Sequence, residues 1–255
     1  MLQEIIVSAD ERARHTDMLV DELREKAAIA PPVRDFAGAL MSPGLSVIAE
    51  IKRRSPSAGD IDIQLDPAKQ AIAYESGGAD AVSVLTEPDF FGGSLQDLES
   101  VRSAVSIPVL RKDFTRRPSQ IWEARASGAD AVLIIVASLT DDAIAILLAT
   151  AKESGMTAIV EAHTTSEVKR ALLAGATVIG VNNRDLQTFE TDLSTSEIAA
   201  IHLPRGVVKI AESGVSSVEG AARMARAGYD AILVGEALVR STDPARLVAE
   251  LKAAR

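Results

Sequence analysis

A chain of 255 residues with a fourfold internal repeat and an apolar strand roughly every 25 residues predicts an α/β fold, a single (β/α)8 TIM barrel with an N-terminal helical extension. The repeat is read in GGADAVSVL from Gly77, SGADAVLII from Ser127, AGATVIGVN from Ala174 and AGYDAILVG from Ala227. In each, a glycine suited to a left-handed helix cap is followed by an apolar run of the kind buried on both faces of a parallel sheet. Gly78, Gly128, Gly175 and Gly228 are spaced by 50, 47 and 53 residues, room for two βα units each.

The intermediate strands are present. SVIAEIK (Ser46–Lys52) precedes the first repeat, and IPVLRKD (Ile107–Asp113), MTAIVEA (Met156–Ala162) and GVVKIAES (Gly206–Ser213) alternate with the others. Strands therefore start near residues 46, 80, 107, 131, 156, 177, 207 and 231. Between them lie segments such as DPAKQAIAYESGG and SLQDLESVRSAV, which open on Asp or Ser caps and carry apolar residues at helical spacing. Eight such units close into a barrel, whereas a doubly wound sheet needs fewer strands and a reversal of strand order. Residues 1–44 fall outside the count. The stretch Asp10–Ala28 reads as one helix ended by Pro31-Pro32, packed over one barrel mouth, and no linker divides residues 1–255 into two domains.

Composition narrows the function. The net charge of −9 disfavours nucleic-acid partners, which attract basic surfaces. The absence of cysteine excludes disulfides, thiol nucleophiles and thiolate metal sites, and fits a cytoplasmic location. No apolar run reaches the length of a membrane span or a leader peptide. His15, His163 and His202 are scattered, so no metal is expected, and no nucleotide-binding glycine motif is present. The expected partner is a small phosphorylated molecule, acting on a monomer or weak homodimer without a cofactor.

Barrels of this kind carry their chemistry where strands end. The first strand ends in Glu50 and Lys52, followed by Ser55; the third ends in Arg111-Lys112-Asp113 and the fifth in Glu161. The sixth runs into Asn182-Asn183-Arg184, the seventh into Glu212-Ser213-Gly214 and the eighth into Gly235-Glu236. One charged strand end is commonplace, but two lysines and two glutamates on strands one, three and five form a ring of ionisable groups. Glu50 and Lys52 share a side by the period of two. Glycines after strands seven and eight let backbone N–H groups approach a phosphate; the plainer reading is that they only permit tight turns, and their occurrence on both expected strands favours phosphate. His163 is expected to point away from the barrel, and Trp122 to pack between helix and strand.

The strings IAEIKRRSPS, SVLTEPDFFGGS, PVLRKDF, QIWEARASGADAVLIIVA, IGVNNRDLQTF, AESGV and AILVGEAL resemble, in order and spacing, the signature segments of the indole-3-glycerol phosphate synthase family. The resemblance runs from about residue 45 to the end, and E-x-K-x-x-S-P-S, L-x-K-D-F and N-N-R-D-L together are highly specific to it. It implies a lyase of tryptophan biosynthesis that closes carboxyphenylamino-deoxyribulose 5-phosphate into indole-3-glycerol phosphate, releasing carbon dioxide and water. It further implies that Lys112 stands at the general acid and Glu161 at the general base. Glu50, Lys52 and Asn182 fall at other catalytic positions. Ser55, Arg184, Ser213, Gly214, Gly235 and Glu236 fall at or beside substrate- and phosphate-binding positions. The segment after Phe114, TRRPSQ, is more basic than is usual in the family, which points to altered loop mobility. Two rivals remain: another phosphate-binding barrel, such as phosphoribosylanthranilate isomerase, whose Cys–Asp chemistry a chain without cysteine does not supply, and an inactive barrel used as a binding module.

Overall fold

A computed structural model describes residues 2–185 and 188–254. Leu186 and Gln187, inside the NNRDLQTF segment, lie outside the described residues. Eight parallel strands form one closed barrel: β1 (Ser46–Ile51), β2 (Ala81–Leu85), β3 (Val109–Lys112), β4 (Ala131–Ile135), β5 (Thr157–Ala162), β6 (Val178–Asn182), β7 (Val208–Glu212) and β8 (Ala231–Val234). Each strand pairs with its neighbours in the chain, and β8 closes on β1 with Ser46 opposite Ala231 and Val47 opposite Ile232. Every predicted strand start falls within two residues of the observed one.

The strands read as continuous apolar runs because both faces are buried, against different partners. Odd positions of β1 (Val47, Ala49, Ile51) pack outward against the helical layer, as do Val109, Val160, Ile179 and Ala211. Ile48, Leu110, Leu133, Ile159, Val178, Ile210 and Leu233 point inward and fill the barrel. Continuing the period of two along each strand brings Glu50, Lys112, Glu161 and Glu212 onto the inner face one step above that apolar layer, and Asn182 two steps above Val178.

The four repeats also build the opposite end. Their glycines adopt the left-handed cap, with φ of 89°, 88°, 89° and 84° at Gly78, Gly128, Gly175 and Gly228. Two residues later, three of the repeats carry an aspartate whose carboxylate accepts the backbone N–H of the preceding strand: Asp80 from Val47 (2.9 Å), Asp130 from Val109 (2.8 Å) and Asp230 from Lys209 (2.8 Å). The aspartates' own N–H groups donate to the carbonyls of those residues. A carboxylate at each of these positions thus fixes register where the barrel would otherwise expose unpaired amides. The AGAT repeat has Thr177 there instead.

The N-terminal extension differs from expectation. It is two helices, α1 (Leu2–Asp17) and α2 (Val20–Ile29), parted at Met18-Leu19, and a short third, α3 (Phe36–Ala39). It reaches both ends of the barrel. Leu2 and Ile5 of α1 stand at the C-terminal mouth, while Phe36 and Leu40 plug the interior from the N-terminal end. The helix α2 lies along the helix Pro118–Ala126, where the Arg24 guanidinium sits 4.6 Å from the Trp122 ring; the tryptophan packs against the extension.

The basic TRRPSQ segment is explained by the same contact. Arg116 pairs with Asp10 at 2.9 Å and Arg117 with Asp17 at 2.6 Å, so the extra charge ties this loop to α1. Arg12 bridges Glu87 and Asp113, both at 3.0 Å. Among the described residues no helix is long and apolar enough to cross a membrane.

Candidate active site

A cavity of about 470 Å³ opens at the C-terminal end of the strands. All eleven candidate residues line it: Glu50, Lys52, Ser55, Lys112, Glu161, Asn182, Arg184, Ser213, Gly214, Gly235 and Glu236. Its size suits a small ligand, and Leu133, Ile135, Leu233 and Phe114 supply apolar wall beside the charged groups.

Lys112 is the hub. Its Nζ lies 3.2 Å from Glu161 Oε2 and 3.3 Å from Glu212 Oε2, while Lys52 pairs with Glu50 at 2.8 Å on the adjoining wall. Burial works against the Lys112 charge, but Glu161, Glu212 and Glu50 outweigh it and hold the ammonium above its ordinary range. The two carboxyls beside it part company. Burial raises Glu161, yet the charges of Lys112 and His163 and the Asn182 amide bring it down to about 2. Burial and the neighbouring Glu161 charge push Glu212 up to about 8, against the pull of Lys112. The opposite shifts leave one proton on the pair at neutral pH and favour Glu212 as its holder.

Glu212 was legible as a strand end but not singled out among the candidates. Its inward direction follows from the same alternation that places Glu161. A second signal lies in Gly180: a Cβ there would collide with Glu212 Oε1, so β6 needs glycine to leave room for the carboxylate. Gly235 does the same for Glu50, whose Oε1 occupies the space a side chain would take. Two glycines of the motifs thus make room for two acids, a pairing that only the folded barrel reveals.

His163 does not point away. It stands two residues after Glu161 and so shares its side. Nε2 lies 3.4 Å from Glu161 Oε1 and Nδ1 lies 3.3 Å from Glu167 Oε2.

The two asparagines separate. Asn182 faces the cavity, whereas Asn183 donates to the Glu212 and Ser213 carbonyls at 3.0 Å each and accepts from Ser196 N–H, fixing the turn after β7. In that turn Ser213 has φ 64° and Gly214 φ 82°, and both residues line the cavity. Ser55 accepts from Ala58 N–H at 3.2 Å, and Arg184 donates to the Phe189 carbonyl at 2.9 Å. The Glu236 carboxylate is engaged by Arg240 at 2.9 Å, which keeps its charge on the rim. Glu87, another strand-end acid, accepts from the N–H groups of Asp89, Phe90 and Phe91 and caps a short helix.

Comparison with known proteins identifies the family. The family described as indole-3-glycerol phosphate synthase matches residues 2–251. The chain is 54% identical to the indole-3-glycerol phosphate synthase of Mycobacterium avium over 245 residues, covering 96% of this chain and 90% of that protein. It is likewise 54% identical to that of Rhodococcus jostii, with 96% and 91% covered, and 52% identical to that of Kineococcus radiotolerans, with 97% and 92% covered. Among solved structures, thiamine phosphate pyrophosphorylase from Pyrococcus furiosus superposes with a TM-score of 0.62 at 15% identity, over 81% of this chain and 93% of that one, a likeness of fold alone. The chain belongs to the indole-3-glycerol phosphate synthase family.

Proposed function

We propose the following division of labour among these residues for the synthase reaction, in which carboxyphenylamino-deoxyribulose 5-phosphate is closed, decarboxylated and dehydrated to indole-3-glycerol phosphate for tryptophan synthesis. The observation that carries it is a buried lysine within 3.3 Å of two buried carboxyls, Glu161 and Glu212, over an apolar floor.

Ring closure joins the aryl carbon that bears the carboxylate to the ketone carbon. As that bond forms, Lys112 donates a proton to the ketone oxygen, which becomes a hydroxyl. Lys52 or Arg184 holds the substrate carboxylate by charge until it leaves as carbon dioxide, and its bonding electrons restore the aromatic ring. The hydroxyl then departs as water, taking a second proton from an acid of the site. Glu161 removes the proton from the neighbouring carbon to complete the indole. Ionised Glu161 is suited to accept, and protonated Glu212 to donate. The phosphate is held by the turns at Ser213-Gly214 and Gly235-Glu236, with Ser55 nearby; at Glu236 the main chain serves, since the carboxylate would repel it. Glu50 orients Lys52, and Asn182 fixes Glu161. No step calls for a metal or cofactor. The enzyme works in the cytoplasm, as a monomer or weak homodimer.

Glu161→Gln tests the assignment because it keeps size and hydrogen bonding but removes proton exchange. In a single turnover carbon dioxide release is expected to outpace indole formation, with a hydroxyindoline intermediate detectable. Simultaneous loss of both products would move Glu161 to ring closure.

A further inference from the structure

The proton count of the reaction leaves a requirement that Lys112, Glu161 and Glu212 alone do not meet. The ketone oxygen departs as water after gaining two protons, while only one proton comes back from carbon. The difference is the negative charge of the substrate carboxylate, which leaves as neutral carbon dioxide. One proton must therefore enter the site from solvent in every turnover, into a group buried to 3% side-chain exposure in Glu161 and 1% in Glu212.

Behind Glu161 the structure holds a graded path. Glu167, in the first turn of the helix Thr165–Leu173, has a side chain 18% exposed; His163 is at 10% and Glu161 at 3%. Glu167 Oε2 accepts the main-chain N–H of His163 at 2.7 Å and stands 3.3 Å from Nδ1 of the same residue, which fixes the ring plane. This leaves Nε2 facing Glu161 Oε1 at 3.4 Å, buried and without a hydrogen-bond partner in the protein. Such an atom is expensive to bury unless it has a task. The charged groups around the imidazole are Glu161, Glu167 and Glu212, with Lys112 beyond Glu161 and Arg170 beyond Glu167.

We propose that His163, oriented by Glu167, is a positioning residue that passes a solvent proton to Glu161 and so recharges the site after each turnover. The inference rests on the roles proposed above. A proton arriving at Glu167 moves across the ring by exchange at Nδ1 and Nε2 and reaches Glu161 Oε1. This proton and the one Glu161 took from carbon pass in turn to Lys112, 3.2 Å away, and from it one goes on to Glu212 at 3.3 Å, which restores both donors. No bond other than those to hydrogen changes, and no electron is gained or lost. Burial lowers the proton affinity of the imidazole, but its contact with Glu167 and the charge of Glu161 outweigh burial and raise it from its ordinary value.

The test separates the first turnover from later ones. The resting site already holds two donatable protons, on Lys112 and Glu212, so one cycle can run without the path. In His163→Gln the single-turnover rate of indole formation is expected within about twofold of the wild type. The steady-state rate should fall by roughly 10²-fold, the low end for a positioned proton-transfer group, and recover on adding imidazole. His163→Asn, which keeps a hydrogen bond toward Glu167, should show the same split, and Glu167→Gln a smaller one. An unchanged steady-state rate in a folded variant overturns the proposal. Equal slowing of first and later turnovers with no response to imidazole does so too, since that is the mark of a structural role. A wild-type protein that forms no indole product in a single turnover would instead remove the reading of the site itself.

Discussion

Asp130, at the N-terminal end of the barrel, and Glu161, at its C-terminal end, are both buried carboxylates, 0% and 2% exposed, with partners of different kinds. Asp130 accepts backbone N–H groups from Val109 at 2.8 Å and Arg34 at 2.7 Å, and Arg102 pairs with it at 3.3 Å. Each partner is fixed by the fold, so the carboxylate holds strand β3 and the chain leading to α3 in place. Glu161 faces the side chains of Lys112, His163 and Asn182 and an open cavity. Of these, Lys112 and His163 can gain, lose or hand on a proton. The same functional group thus serves as a bolt at one end and, in the role proposed for it, as a reagent at the other, and what separates the two is whether its partners come mainly from main chain or from titratable side chains.

That contrast predicts that substitutions at the upper end cost rate and leave stability, while those at the lower end do the reverse. The largest rate effect belongs to Lys112→Ala, with kcat expected to fall by roughly 10²–10⁴-fold while KM changes modestly and the fold survives. Near-wild-type kcat in the folded variant would break the comparison at its upper end. Asp130→Ala strands two amides and an arginine, and should lower stability by about 3–5 kcal/mol, as for other buried pairs cut on one side. Chemical denaturation measures it, and kcat per folded molecule should be unchanged. A loss of turnover larger than the loss of folded protein would show that the lower end communicates with the site.

A finer test uses pH. The Glu212 proton is held up to about 8, so a reaction that needs that proton loses rate as pH rises through this value. Because the folded pKa lies above the unfolded one, the same group removes stability over the interval from the ordinary carboxylate range up to about 8. Glu212→Gln keeps a neutral donor that does not titrate. Having no acidic proton to give, it should lower kcat/KM, leave the remaining rate without the basic limb near pH 8 and flatten the loss of stability over the same interval. A limb that persists unchanged assigns the proton to another group. The smallest effect is expected at Asp230→Asn, whose amide oxygen still accepts from Lys209 N–H. A loss near 1 kcal/mol is expected there, the worth of weakening one charge-assisted hydrogen bond.

Much of the barrel was legible in the chain. Alternating βα units, the glycine caps and the buried runs depend on interactions within about 25 residues, and local patterns report those directly. The aspartates of the GAD repeats were visible as letters, but their role was not, because each one binds an amide of the preceding strand. The N-terminal extension was misjudged for a related reason. The break at Met18-Leu19 has neither Pro nor Gly to mark it, and it is packing of α1 on the mouth and of α2 along the helix Pro118–Ala126 that sets it.

By itself the sequence determined the strand count, the closed parallel order and the set of ionisable residues at the strand ends, since a period of two and a repeat of βα units leave few alternatives. The tertiary structure decided which of those residues meet. It turned His163 toward Glu161, set Glu212 over Gly180 and Glu50 over Gly235, and used the arginines of TRRPSQ to tie down a helix about 100 residues earlier in the chain. The proton affinities follow from those meetings. A carboxyl takes its charge state from burial and from the groups within a few ångströms, and closure of the barrel brings residues from five strands to that distance.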